Sequence, residues 1–140
     1  MNTMNPDKYI RKEIYDRIHN AEVDGIVVKC YDSRVTANDP EQYFLISTQL
    51  NQPNRTKCGR GWINSTEIQI IVRRPKNEGT RVFLDNLVNE VLVELDEFSL
   101  PAITGFKVNL DDLTIDNEIV EETKSEIFYT KILRLETTVN

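Results

Sequence analysis

The segment YFLISTQLNQPNRTKCGRGWINSTEIQIIVR, residues 43–73, decides the reading of this chain. Tyr43 to Leu50 and Trp62 to Arg73 are rich in aromatic, β-branched and threonine residues, the composition of strands. Within the second run Thr66, Ile68, Ile70 and Val72 alternate with Ser65, Glu67, Gln69 and Arg73, so one face is buried; Ile71 is the only apolar misfit. Between the runs lies Asn51 to Gly61, polar, basic and marked by two glycines. The pattern predicts a long hairpin whose tip contacts a partner rather than closing a core.

Outward from the hairpin, Asn5 followed by Pro6 predicts a capped helix start, and Ile10, Ile14 and Ile18 recur at spacing four with Tyr15 widening the stripe. Asp24-Gly25 is read as the end of that helix. Ile26 to Tyr31 reads as a first strand and Asp32 to Gln42 as a loop. After Pro75, Thr80 is a plausible cap for a second helix carrying Phe83, Leu84, Leu87, Val88, Val91, Leu92 and Leu95, a face wide enough to cover a sheet. Pro101 and Gly105 mark its exit. Two further strands follow, Phe106 to Ile115 and Ile127 to Leu135, the last with apolar groups on both sides.

The order α, β, β, β, α, β, β predicts an α+β domain with a mainly antiparallel sheet of about five strands, two helices on one face, and the long hairpin between the second and third strands. At 140 residues the chain is the size of one domain, 1–140. No apolar run reaches the roughly 20 residues of a membrane-spanning helix, and the N-terminus lacks the pattern of a secretory signal, so folding in a cytoplasm with reduced cysteines is expected. Asn54-Arg55-Thr56 and Asn64-Ser65-Thr66 are then chance matches to the glycosylation pattern. Cys30, Cys58 and the single histidine, His19, cannot make a standard zinc site.

A net charge of −6 argues against general binding to a nucleic-acid backbone. The charge is uneven. Asn51 to Lys76 carries Arg55, Lys57, Arg60, Arg73, Arg74 and Lys76 against Glu67 alone, and Asp111 to Glu126 carries seven carboxylates against Lys124 alone. Two solvated faces explain this; so does a basic surface of one copy meeting an acidic surface of the next.

The chain also resembles the tail terminator and head–tail joining (tail completion) proteins of tailed bacteriophages. The likeness lies in Cys30 to Arg34 after a short strand, Tyr43 to Gln49, Asn54 to Gly59, Trp62 opening the next strand, and Gly79-Thr80-Arg81 leading into a helix with Asp85-Asn86. It spans about Tyr9 to Glu136, and the acidic Asp111 to Glu126 stretch departs from it. The resemblance implies a structural, non-enzymatic virion protein without cofactors, assembled in the host cytoplasm. It implies a homo-oligomeric ring of six or twelve copies at the head–tail junction, contacting neighbouring connector and tail proteins and letting viral DNA pass without sequence-specific binding. Asn54, Arg55, Lys57, Arg60 and Trp62 are the candidate contacts to an adjoining subunit or ring, and Asp112, Asp116, Glu118, Glu121 and Glu122 the candidate channel-lining residues. A small cytoplasmic protein-binding module is the alternative. A metal-dependent nuclease using Asp32 and Glu67 is a further one, weakened because glutamine, Gln69, stands where its lysine belongs.

Overall fold

A computed structural model describes residues 5–38, 40–56, 59–78 and 81–140; of residues 55, 56, 59, 60, 78 and 103 it describes the backbone alone. Helix α1 is Asp7–Ile18 and helix α2 is Val82–Glu94. The strands are β1 (Ala21–Val23), β2 (Ile26–Asp32), β3 (Gln42–Thr56), β4 (Gly59–Pro75), β5 (Val108–Glu122) and β6 (Glu126–Val139). They form one six-stranded sheet in the order β1-β2-β3-β4-β6-β5, curled as a half-barrel. The α+β class and the long hairpin stand, the hairpin now joining the third and fourth strands.

Helix α1 forms as its sequence indicates. The Asn5 Oδ1 accepts the Asp7 N–H at 2.8 Å, the Pro6 carbonyl accepts from Tyr9 and Ile10, and Ile10, Ile14 and Ile18 are fully buried. On α2, Phe83, Leu84, Leu87, Val88 and Val91 are buried. Both stripes enter one apolar cluster with Phe44 and Ile46 of β3, Ile68, Ile70 and Val72 of β4, and Leu133 and Leu135 of β6. The proposed helix cap Thr80 lies outside the described residues.

The expected mainly antiparallel sheet of about five strands differs from the structure in three places. First, α1 stops at Ile18; Asn20 is left-handed (φ 64°) and the chain turns into β1. Asp24-Gly25, with φ of 52° and 78°, is then the two-residue turn of a β1–β2 hairpin rather than a helix end. A three-residue strand is too short for its alternation to be read. Second, β2 and β3 are parallel, with Lys29 opposite Tyr43 and Asp32 opposite Ile46. The loop between them doubles back and is tied down by Ser33 N–H to the Ile46 carbonyl and Arg73 N–H to the Glu41 carbonyl. Third, β5 runs on to Glu122, so most of the acidic stretch is strand, and β6 begins at Glu126.

The hairpin tip is also more regular than its composition indicates. The β3–β4 ladder continues through Asn51↔Asn64, Pro53↔Trp62 and Arg55↔Arg60 to Thr56↔Gly59. Strand β6 ends at Val139, opposite Trp62, so the rungs beyond Trp62 form an arm that extends past the sheet. Gly61 sits at the base of this arm. A Cβ there would stand 2.5 Å from the Val139 carbonyl oxygen and press on the Asn140 Oδ1, whereas one on Gly25 would meet nothing within 4 Å.

Gly61→Ala must move backbone, and Gly25→Ala strains only the left-handed turn, at about 1 kcal/mol. In urea denaturation we expect a clearly larger loss of stability for Gly61→Ala than for Gly25→Ala; equal losses would contradict the close approach at the arm's base.

Candidate functional site

The geometry of the arm is set by one irregularity in β3. Ile46 pairs with Ile68 and Gln49 with Thr66, so Ser47 and Thr48 together face Glu67. The Thr48 hydroxyl donates to the Glu67 Oε2 at 2.5 Å and the Ser47 hydroxyl to the Glu67 carbonyl at 3.5 Å. Such a bulge shifts the alternation by one residue, and every side chain beyond it changes face. Before it Phe44 and Ile46 point into the core; after it Gln49 and Asn51 point inward, and Leu50 is turned out with 69% of its surface exposed.

The inward residues build a polar knot where the arm leaves the sheet. Gln49 Oε1 accepts from Arg11 Nη1 at 2.7 Å, and its Nε2 donates to the Asp7 carbonyl (3.3 Å) and to Thr66 Oγ1 (3.2 Å). Buried Asn64 donates to Asp7 Oδ1 at 3.0 Å and accepts from the Thr66 hydroxyl at 2.8 Å. Asn51 Nδ2 donates to the Asn5 Oδ1 at 2.9 Å. The first turn of α1 is thereby tied to both strands of the hairpin. Sequence reading placed Thr66 inward correctly but missed Gln49 and Asn64, because a bulge has no residue signature of its own.

The other face of the sheet carries no part of this core. Register puts Tyr31, Leu45, Gln69, Ile132 and Asn117 on one of its rows and Tyr43, Ile71, Thr130 and Ile119 on the next. Ile71 and Ile132 are buried there by their neighbours, outside the main cluster. Toward the arm this face bears a shallow groove whose lining includes Leu50, Gln52, Ile63, Ser65, Arg134 and Glu136.

The candidate contact residues divide. Asn54 is half-buried opposite Gly61, and Trp62 is half-buried against the core cluster opposite Pro53, so the tryptophan packs within the subunit. Arg55 and Arg60 occupy opposite positions on one rung; their side chains and all of Lys57 lie outside the described residues.

The candidate channel residues divide as well, because much of the acidic strand is neutralised within the chain. Asp116 pairs with Arg134 at 3.2 Å, Glu122 with Lys76 at 3.3 Å, and Glu118 with both Arg81 and Lys131. Arg73 pairs with Glu126 at 3.2 Å, and Arg81 also lies over the Tyr129 ring. The basic and acidic stretches therefore meet inside one subunit. Asp112 and Glu121 are exposed and make no ion pair among the described residues.

Asp32 and Glu67 do not converge. Asp32 lies on the helix side, 3.4 Å from Arg11 Nε, and Glu67 on the opposite face, bound by Thr48. His19 is not a free surface residue: its Nδ1 accepts the Cys30 N–H at 3.0 Å and its ring stacks on Tyr15. Cys30 is buried, and burial, assisted by Asp32, pushes its thiol up to about 12, which keeps it protonated and unreactive. No helix among the described residues is long and apolar enough to cross a membrane.

No protein-family model matches the chain, and no curated protein does. The fold is similar to that of a chain in the virion of a native gene transfer agent (GTA) particle, with a TM-score of 0.52 at 11% identity. The match covers 97% of this chain and 99% of that one. It is a likeness of the whole fold.

Asn64→Ala should leave Asp7, Thr66 and Gln49 short of partners and cost about 1–3 kcal/mol. The urea midpoint should fall with the slope unchanged; an unchanged midpoint would mean that the knot does not hold the arm to α1.

Proposed function

We propose that this chain is a structural protein of a phage-like virion, a tail terminator or connector subunit that closes into a ring at the head–tail junction. The observation that carries the reading is the end-to-end similarity of fold to a chain of the gene transfer agent virion. The resemblance of Cys30 to Arg34, Tyr43 to Gln49 and Asn54 to Gly59 to the tail terminator proteins supports the finer assignment.

Physical features of the chain suit that role. A sheet with one face covered by helices and the other bearing apolar rows is half of a larger packing arrangement. An arm extending beyond the sheet gives each subunit a means of reaching another, and a contact between unlike surfaces repeats until rotation closes it into a ring. Asp112 and Glu121 are the carboxylates left to face a DNA channel, where negative charge lets the duplex slide without adhering. Asp116, Glu118 and Glu122 serve to hold β5 in place instead. The chain needs no active site for this work, and neighbouring connector and tail proteins are its partners.

Quantitative mass spectrometry of purified virions from the phage that encodes the chain should find it in six or twelve copies per particle. Deleting its gene should leave filled heads and tails unjoined. Absence of the protein from particles, or normal joining without it, would overturn the proposal.

A further inference from the structure

We propose that the uncovered face of the sheet docks a basic, apolar-centred surface of a different virion protein, and that Glu136 receives a lysine or arginine from it. This rests on the virion reading given above and names the chemistry of one partner.

The face is apolar at its centre. Ile71 and Ile132 are buried there, flanked by Tyr43 and Leu45, and the Tyr31 and Tyr43 rings meet edge-on with centroids 6.0 Å apart. Val27, Leu50, Ile63 and Ile119 stand on the same face between 39% and 69% exposed. Large apolar side chains left in water around a packed centre mark a surface that another molecule covers.

Charge selects the occupant. Two arginines of the face are engaged within the chain: Arg73 pairs with Glu126 at 3.2 Å, and Arg134 holds Asp116 and the Ser65 hydroxyl. The other charged residues described on the face are Lys29 against Glu22, Glu67, Asp112, Glu121 and Glu136, an excess of four negative charges. None of these carboxylates makes an ion pair among the described residues. Such a face repels DNA, and it repels a second copy of itself laid against it. The whole chain carries −6, so the remainder of a second copy is net acidic too. A basic surface of another sequence supplies what both alternatives lack.

The demand is sharpest at Glu136. This half-buried carboxylate stands directly opposite Asp112 on the neighbouring strand, a like-charge pair that weakens a sheet. Arg134, two positions away on the same face, is already held by Asp116 and Ser65. Glu136 also lines the groove with Leu50 and Ile63. A lysine or arginine docking there lays its alkyl stem on the leucine and isoleucine and its charge on the carboxylate. Asp112 and Glu121 lie on the edge strand, at the margin of the contact, where the channel reading needs them.

The test complements the phage that encodes the chain, its gene deleted, with wild type, Glu136→Gln or Glu136→Lys. Glutamine removes the repulsion with Asp112 and lysine turns it into an ion pair, so thermal midpoints of the purified variants by circular dichroism should equal or exceed wild type. Infectious titre should nevertheless fall in the order wild type, Gln, Lys, the last lower by about tenfold or more. Titres that match wild type, or that rise with stability, would overturn the docking role of Glu136 and leave the virion reading standing. Carbodiimide coupling in intact wild-type particles, which joins a carboxylate to a touching lysine, should link the Glu136 peptide to a different virion protein. A link to a second copy of this chain would overturn the choice of partner. Absence of the wild-type chain from particles would defeat the virion reading itself, and this inference with it.

Discussion

One irregularity opposite Glu67 governs the half of the molecule that faces outward. Because Ser47 and Thr48 share a single partner residue, strand β3 changes phase between Ile46 and Gln49. The core keeps Phe44 and Ile46, and the next inward positions go to Gln49 and Asn51, which cannot lie bare against apolar side chains. The N-terminal half of α1 and the residue before its proline supply the partners: the Asp7 carbonyl and Arg11 for Gln49, Asn5 for Asn51, and the Asp7 carboxylate for the neighbouring Asn64. A polar knot thus replaces apolar packing where the arm begins. Hydrogen bonds have direction, so the knot fixes the arm's path in a way that a greasy contact would not. The same phase change turns Leu50 to solvent.

Electrostatics then organises the opposite edge. A strand with six carboxylates and no cation repels itself, yet β5 holds at the edge of the sheet. Strand β6 and the approach to α2 present Lys131, Arg134, Lys76 and Arg81 to Glu118, Asp116 and Glu122. Exposed pairs of this kind each contribute little, about 0–1 kcal/mol, but together they offset the repulsion along the strand. Among the described residues Asp111, Asp112 and Glu121 make no ion pair; Asp111 accepts the Thr138 hydroxyl, which leaves Asp112 and Glu121 as the carboxylates free for an external role. Carboxylates and bulges along this edge also disfavour open-ended strand pairing, the hazard of any long exposed edge.

The residues that could be read in advance are those whose period matches a regular element. Ile10, Ile14 and Ile18, the two rows of α2, the alternation Thr66 to Val72, and the two-sided β6 all describe undisturbed helices and strands, and each lies where its period places it. The parts that escaped are those where period fails or is too short. β1 has three residues, and Asp24-Gly25 looks alike as a helix stop and as a hairpin turn. Strand direction leaves no mark on composition, so the parallel β2–β3 pair was invisible. The bulge in β3 breaks the alternation and makes Leu50 a surface residue, and those in β5 interrupt its period as well. Charge blocks were visible, but the ion pairs between them depend on β5 lying beside β6 and on α2 starting near Glu118, which only the fold supplies.

On the reading we propose, the uncovered sheet face and the arm are the surfaces through which this subunit joins others. Cryo-electron microscopy of the head–tail junction in intact particles tests it most directly. We expect a closed ring in which another protein chain covers the sheet face that bears Tyr43, Ile71 and Ile119, with α1 and α2 turned away from the subunit contacts. A ring whose contacts run through the helices, leaving that sheet face open to solvent, would contradict it.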